Sequence, residues 1–267
     1  IELRIKVVDD AILEHTETFS VDITGVSELI KGTDTAAGSI TDENGGLDDT
    51  PTIAISAVAA NVTEGPDVYA TFALTKTGAS EVDGKVQVAL NLGTGSDAAE
   101  AADFDGPLQY KGSDGQWHDV PADGWIPVGA SATTDTIELR IKVVDDSILE
   151  HTETFSVEIT GVSELIKGTA TAAGSITDEN NGLDDTPTIA ISAVAADVTE
   201  GPDVYATFAL TKTGESEVDG KVQVALNLGT GANAAEAADF DGPLQYKGTD
   251  GQWHDVPADG WIPVGAS

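Results

Sequence analysis

In the segment 137–143 apolar and polar side chains alternate residue by residue, so that Ile137, Leu139, Ile141 and Val143 share one face and Glu138, Arg140 and Lys142 the other. A period of two belongs to a half-buried β-strand, because successive Cβ atoms point to opposite faces of a sheet. Similar alternation, or enrichment in Val, Ile, Thr and Phe, runs through 52–57, 68–75, 85–92, 136–144, 152–160 and 170–176, with Gly, Asp and Pro between the runs. About seven such strands in about 130 residues predict an all-β fold of antiparallel, Ig-like β-sandwiches. The stretch 108–125 carries Gly112, Gly115 and Gly124 and predicts a hairpin with a long loop, while 97–102 is long enough for one helical turn.

The chain repeats itself. Ile1–Ser131 recurs as Ile137–Ser267, a shift of 136 residues, with nine substitutions: Ala11/Ser147, Asp22/Glu158, Asp34/Ala170, Gly45/Asn181, Asn61/Asp197, Ala79/Glu215, Ser96/Ala232, Asp97/Asn233 and Ser113/Thr249. Near-verbatim tandem copies suit stalks and arrays, whose function scales with copy number, better than they suit catalytic domains. Short polar runs ending in proline, Leu47-Asp48-Asp49-Thr50-Pro51 and Leu183-Asp184-Asp185-Thr186-Pro187, read as linkers. Residues 1–46 are therefore expected to be the C-terminal half of one repeat, 47–182 a complete repeat, and 183–267 the N-terminal half of the next. Each half alone would expose an apolar face and unpaired strand edges. Two arrangements would satisfy them: head-to-tail contact with other copies, or a continuous array of which these residues are a window.

Against this apolar framework stands a formal net charge of −35, from 47 acidic and only 12 basic side chains. Self-repulsion of that size opposes compaction unless cations bind, and it argues against nucleic acid and anionic membrane surfaces as partners. With 40% hydrophobic residues the chain still has a core to bury, so it is expected to be globular and not an acidic disordered tail. The absence of cysteine removes disulfides, thiolate metal sites and cysteine nucleophiles together, which leaves a structural metal as an available staple. No apolar run approaches the roughly 18 residues of a membrane span, and no signal peptide opens the chain. The residues are expected to be an internal piece of something longer, with no membrane insertion. No Ser-His-Asp order, zinc-ligand spacing or phosphate-cradling glycine loop stands out, so the chain is not expected to be an enzyme.

The candidate chemistry lies in Asp145-Asp146-Ser147-Ile148-Leu149-Glu150, between two alternating segments. Two adjacent carboxylates with a third four residues on, in a loop at the end of a sandwich, begin a cage for a hard divalent cation, which wants six to eight oxygens. Asp103-Phe104-Asp105-Gly106 lacks the helical flanks and the twelfth-position Glu of an EF-hand. Trp117, His118 and Trp125 recur as Trp253, His254 and Trp261; they either pack across their strands or form an aromatic platform for a sugar or an ice surface.

The order Val62-Thr63-Glu64-Gly65, then Ala102-Asp103-Phe104, then Val144-Asp145-Asp146 with Glu150, then Thr152-Glu153-Thr154-Phe155-Ser156-Val157, and finally Ile176-Thr177-Asp178-Glu179, resembles the Calx-β domain. Tandem, acidic, cysteine-free copies are similar to the extender repeats of giant bacterial RTX-type adhesins, exported by type I secretion. The resemblance implies tandem Ig-like sandwiches that bind Ca²⁺ at one end, beside the linker. Carried over residue by residue, the implied ligands are Glu64, Asp103, Asp145, Asp146, Glu150, Asp178 and Glu179 in the complete repeat. Their counterparts are Asp9, Asp10, Glu14, Asp42 and Glu43 in the first half and Glu200 and Asp239 in the last. The residues nominate the same set independently, as gathered carboxylates that need a cation or protons to sit close together. Asp48, Asp49, Asp184 and Asp185, in the linkers, are expected to reach a neighbouring domain's ion. The family's terminal acidic triplet is here Asp178-Glu179-Asn180, and the hairpin around Trp117 is longer than a minimal domain needs.

The implied role is an extracellular structural extender on a bacterial cell surface. Ca²⁺ at the junctions would stiffen it to project a distal adhesive domain in cell adhesion and biofilm formation, with neighbouring repeats of the same chain as partners. The alternatives are a module that itself binds glycan, protein or ice through exposed aromatic residues, and a Calx-β-type Ca²⁺ sensor.

Overall fold

The computed structural model describes residues 1–266. They divide into two compact units, residues 1–145 with 152–177 and residues 146–151 with 178–266. The first contains a complete β-sandwich. Its strands are β1 (Thr52–Ala59), β2 (Asn61–Thr63), β3 (Tyr69–Thr77), β4 (Gly84–Asn91), β5 (Gln109–Lys111), β6 (Trp117–Asp119), β7 (Trp125–Val128), β8 (Asp135–Lys142), β9 (Glu153–Ser163), β10 (Ile166–Lys167) and β11 (Thr171–Thr177). One sheet has the order β6-β5-β8-β3-β1-β10 and the other β7-β4-β9-β11-β2. All pairings are antiparallel except β10 on β1 and β11 on β2.

Every one of the alternating segments in the complete repeat becomes a strand, and the alternation assigns its faces. In β3 the residues Ala70, Phe72, Leu74 and Lys76 point inward, opposite Ile137, Leu139 and Ile141 of β8. From the other sheet Phe155, Val157 and Ile159 of β9 and Val86 and Val88 of β4 close the core. At its centre Phe155 meets Phe72 and Phe104 edge-on, with ring centroids 6.0 and 5.1 Å away, the geometry aromatic quadrupoles favour. Lys76 is a charged group within the apolar interior. Burial pushes its ammonium pKa down, against the opposing charges of Asp135 and Asp83, and its Nζ donates to the Gly129 carbonyl at 3.2 Å.

Two expectations are corrected. The stretch 108–125 is a hairpin only as far as β5 and β6; Gly124, at φ +76°, donates to the Pro121 carbonyl and turns the chain away, and Trp125 pairs with Gln87 in the opposite sheet. The stretch 97–102 forms no helix but a turn, with Ala98 bridging to Thr154. Trp117 packs across its strands: the Arg140 guanidinium carbon lies 4.1 Å from the Trp117 ring centre and 4.3 Å from that of Tyr69.

Outside the sandwich the same sequence forms less structure. Residues 17–22 and 35–40 pair as their twins in β9 and β11 do, but residues 1–10, the twin of 137–146, form no strand. In the second unit Thr188–Ala195 pairs with Thr207–Thr213, Gly220–Gln223 with Trp261–Val264, and Gln245–Lys247 with Trp253–Asp255. No helix among the described residues is long and apolar enough to cross a membrane.

Phe155→Ala opens a cavity against two aromatic neighbours and should destabilise the sandwich by about 3–5 kcal/mol. Denaturant titration followed by tryptophan fluorescence reads this as a lowered midpoint with unchanged slope.

Candidate metal centre at the repeat junctions

The loop that carries the adjacent aspartates is built the same way twice. In the first unit Asp10 Oδ1 accepts the Ile12 amide at 3.1 Å, and in the second Asp146 Oδ1 accepts the Ile148 amide at 2.9 Å. This local turn presents a two-residue strand to the next repeat. Ile12–Leu13 pairs in parallel with Ala79–Ser80, and Ile148–Leu149 with Glu215–Ser216. The amides of Glu81 and Glu217 then donate to the carbonyls of Leu13 and Leu149 at 2.9 and 3.0 Å.

An acidic turn folds over each joint. The Glu14 amide donates to Asp42 Oδ2 at 2.9 Å, and the Glu150 amide to Asp178 Oδ2 at 3.1 Å. A short 3₁₀ turn follows each aspartate, Glu43–Gly45 and Glu179–Gly182. Only glycine fits where the chain then doubles back. Gly46 and Gly182 have φ of +75° and +68°, and an added Cβ would stand 2.9 Å from Asp42 Oδ2 or 2.7 Å from Asp178 Oδ2, besides striking Leu13 or Leu149. The Thr50 hydroxyl donates to the Gly46 carbonyl at 2.6 Å, and that of Thr186 to the Gly182 carbonyl. These bonds return the linker, with its acids, to the turn.

Three carboxylate groupings result within the units. Oxygens of Asp42, Glu43 and Asp49 lie within 4.8 Å of one another, as do those of Glu179, Asp184 and Asp185, and those of Glu14, Glu17 and Glu81. Their charges oppose one another. Glu43 is lowered by a backbone hydrogen bond, but a side-chain hydrogen bond to Asp9, desolvation and the charges of Asp9 and Asp49 outweigh that, and its pKa is pushed up to about 7. Desolvation raises Asp49 against a hydrogen bond to Glu43 that lowers it, and the charges of Asp48, Asp42 and Asp9 add to the rise. Desolvation also raises Asp178, opposed by the Glu150 amide and reinforced by Asp185 and Asp184. Glu14 rises by desolvation and the charges of Asp10, Glu17, Glu81 and Asp42.

The other nominated residues are placed variously. Asp145, Asp146, Asp10, Glu200 and Asp239 are exposed, and among the described residues none of them joins a grouping of three. Asp239 Oδ2 accepts the Glu236 amide at 2.7 Å. Glu64 is half-buried, with its amide donating to the Thr177 carbonyl at 2.9 Å. Asp103 is buried and its Oδ2 accepts the Glu100 amide at 2.5 Å. Beside it, within 4.8 Å, stands a carboxylate that sequence reasoning left out, the buried Glu153. The signal was available: Glu153 occupies an inward position in step with Phe155, Val157 and Ile159. Glu17, its twin, and Glu81 were also passed over. Glu81 had no signal, because its part comes from the strand pairing across the joint.

The donor set fits a hard cation. It consists of carboxylates, without thiolate, which suits Ca²⁺ or Mg²⁺. Asp178 Oδ1 and Asp49 Oδ2 are buried atoms without a hydrogen-bond partner among the described residues, and a buried anionic oxygen needs one.

Residues 1–44 and 131–180 match the family model of the Calx-beta domain. Calx-beta domains are non-enzymatic calcium-binding β-sandwich modules, and the matched residues hold most of both junction turns. Among solved structures, CBD12 from CALX1.2 is 17% identical over 48% of this chain and 46% of its own length, with a TM-score of 0.35; the aligned part thus spans less than half of CBD12. The apo-form Calx CBD1 domain is 18% identical over 48% of this chain and 99% of its own, with a TM-score of 0.34. The bacterial hydrophobin BslA is 14% identical over 48% and 96%, with a TM-score of 0.26. No curated protein matches the chain.

Two outcomes follow for the metal-free protein. A carboxyl that holds its proton more tightly folded than unfolded contributes stability at low pH and loses it as the pH rises. In chelator, therefore, stability should fall between the ordinary glutamate value of 4.5 and about 7, the folded value of Glu43; melting curves in that range, repeated with Glu43→Gln to flatten the fall, check it. Asp178→Asn keeps an oxygen for the Glu150 amide but removes a repelled charge. It should raise the melting temperature in chelator while weakening calcium binding roughly tenfold or more by calorimetric titration.

Proposed function

We propose that the chain is a segment of a structural extender, the stalk of a secreted RTX-type adhesin on a bacterial cell surface. Ca²⁺ held at each junction stiffens the run of repeats and carries a distal adhesive domain away from the cell, in adhesion and biofilm formation. The carrying observation is that one joint is made twice with the same parts, a parallel two-residue pairing under an acidic glycine turn. A sensor would gain from sites that differ; an extender gains from sites that are alike.

The physical logic is charge neutralisation. Asp42, Glu43 and Asp49 in the first unit, and Asp178, Glu179, Asp184 and Asp185 in the second, each join a repeat's end to its own linker. A cation there turns mutual repulsion into shared ligation and restrains the linker. The calcium-binding character of Calx-beta domains supports the choice of ion. The stacking of Trp117 on Arg140 favours packing of that ring across its strands.

Because ligands from separated loops meet only in the folded chain, binding is coupled to folding. At a thousandfold excess over Kd, calcium should add about 4 kcal/mol, or about 10 °C in melting temperature, while magnesium, reluctant to dehydrate, adds much less. Superimposable scanning-calorimetry curves in calcium and in chelator would refute the reading. A second measurement isolates the linker: in calcium, Asp184→Ala with Asp185→Ala should shorten the maximum dimension by small-angle scattering, and an unchanged dimension would show that these acids do not restrain it.

A further inference from the structure

Lys76 points inward from β3 and is 1% exposed. An ammonium withdrawn from water is costly, and an unbranched apolar side chain would fill the same space without that cost, so the core alone does not account for a lysine there. Its Nζ donates to the Gly129 carbonyl at 3.2 Å. The N–H of the same peptide group, that of Ala130, donates to Asp83 Oδ1 at 2.7 Å. One peptide unit is thus gripped at both poles, by a buried cation on its carbonyl and by an exposed carboxylate on its amide.

The residue that follows this peptide group is the one beside the joint. Ser80 directs both its backbone groups to Ser131, the two amides donating to each other's carbonyls at 3.0 and 2.9 Å, whereas the Glu81 amide points the other way, to Leu13. The segment that receives the preceding repeat therefore lies between Ile12–Leu13 and Ser131. The buried Ser80 hydroxyl is spent on the local turn: it donates to the Val82 carbonyl at 2.7 Å and accepts the Val82 amide at 3.0 Å.

The second unit repeats these parts beside Glu215–Ser216, where Ile148–Leu149 pairs. Lys212 Nζ donates to the Gly265 carbonyl at 3.3 Å, the Ala266 amide donates to Asp219 Oδ1 at 2.8 Å, and the Ser216 hydroxyl donates to the Val218 carbonyl at 2.8 Å. Lys212 is only half-buried, so the contact forms without the closed core that surrounds Lys76.

We propose that Lys76 and Lys212 are positioning residues for the joints between repeats. Each fixes, from the inward face of its strand, the peptide group that sets the place of the receiving segment, so that a preceding repeat pairs with an edge already held in register. A loose edge would have to be ordered as it paired, which weakens pairing. The parts are protein groups alone, and the joint is tested apart from the calcium reading.

Hydrogen exchange of the full chain in calcium buffer, read by mass spectrometry after intrinsic-rate correction, carries the test. Residues 78–83 are told from 214–219 by Ala79 against Glu215, and residues 153–160 of β9 from their twin by Glu158 against Asp22. Lys76→Met should speed exchange over 78–83 roughly tenfold or more, since a charge-assisted bond is lost, while 214–219 and 153–160 keep their wild-type rates. Lys212→Met should do the reverse, loosening 214–219 and leaving 78–83 alone. Asp83→Ala releases the same peptide group from its exposed side, and decides the matter if Lys76→Met speeds 153–160 as well: 78–83 should again exchange faster and 153–160 should not. Wild-type rates over 78–83 in a folded Lys76→Met protein, or acceleration there only in step with 153–160 in both variants, would overturn the proposal.

Discussion

Repulsion between carboxylates is the constraint on which the junctions depend. A chain with this excess of acid could spread its charge over the surface, where water and salt screen it. Instead the fold draws Asp42, Glu43 and Asp49 into one turn and Glu179, Asp184 and Asp185 into another. The force that gathers them is local and ordinary: an aspartate accepting a backbone amide, a left-handed glycine, a threonine hydroxyl closing the linker. These bonds hold the acids against their own repulsion, and the proton affinity of Asp49 and Asp178 is raised by desolvation first and by the neighbouring carboxylates after it.

The β-sandwich supplies the rigid ends to which those turns are fastened. Its core is made of alternating strands whose inward residues interlock around Phe72, Phe104 and Phe155, so the strand ends that carry Asp103, Glu153 and Glu64 are not free to drift. Rigidity in the core and crowding at the tips are therefore complementary. A soft sandwich would relieve the crowding by moving, and the gathered carboxylates would spread apart.

Much of the fold could be read from period-two alternation, because a side chain's face in a strand is fixed by its position alone. The hairpin after Leu108 was read only in part, since the sequence marks Gly124 as a turn but not the sheet to which the chain then goes. The site was legible where acids cluster in sequence, at Asp178-Glu179 and Asp184-Asp185. It was obscure where the cluster forms through space: Glu81 joins Glu14 and Glu17 only because Ile12–Leu13 pairs beside it. Glu153 was hidden for a different reason, as a single acid within a run read for its apolar periodicity. Residues 1–10 show the limit of pattern itself, for an alternation that makes a strand at 137–142 makes none where no partner strand lies alongside.

The joint is made chiefly of peptide groups, with Ile12–Leu13 and Ile148–Leu149 the same in both copies. Ala79 pairs with Ile12 and Glu215 with Ile148, and the exchange of a methyl for a carboxylate leaves the hydrogen bonds in place. A coupling that ignores side-chain identity on one partner lets any copy follow any other. A unit inserted or removed at such a seam would find the same backbone partners waiting for it.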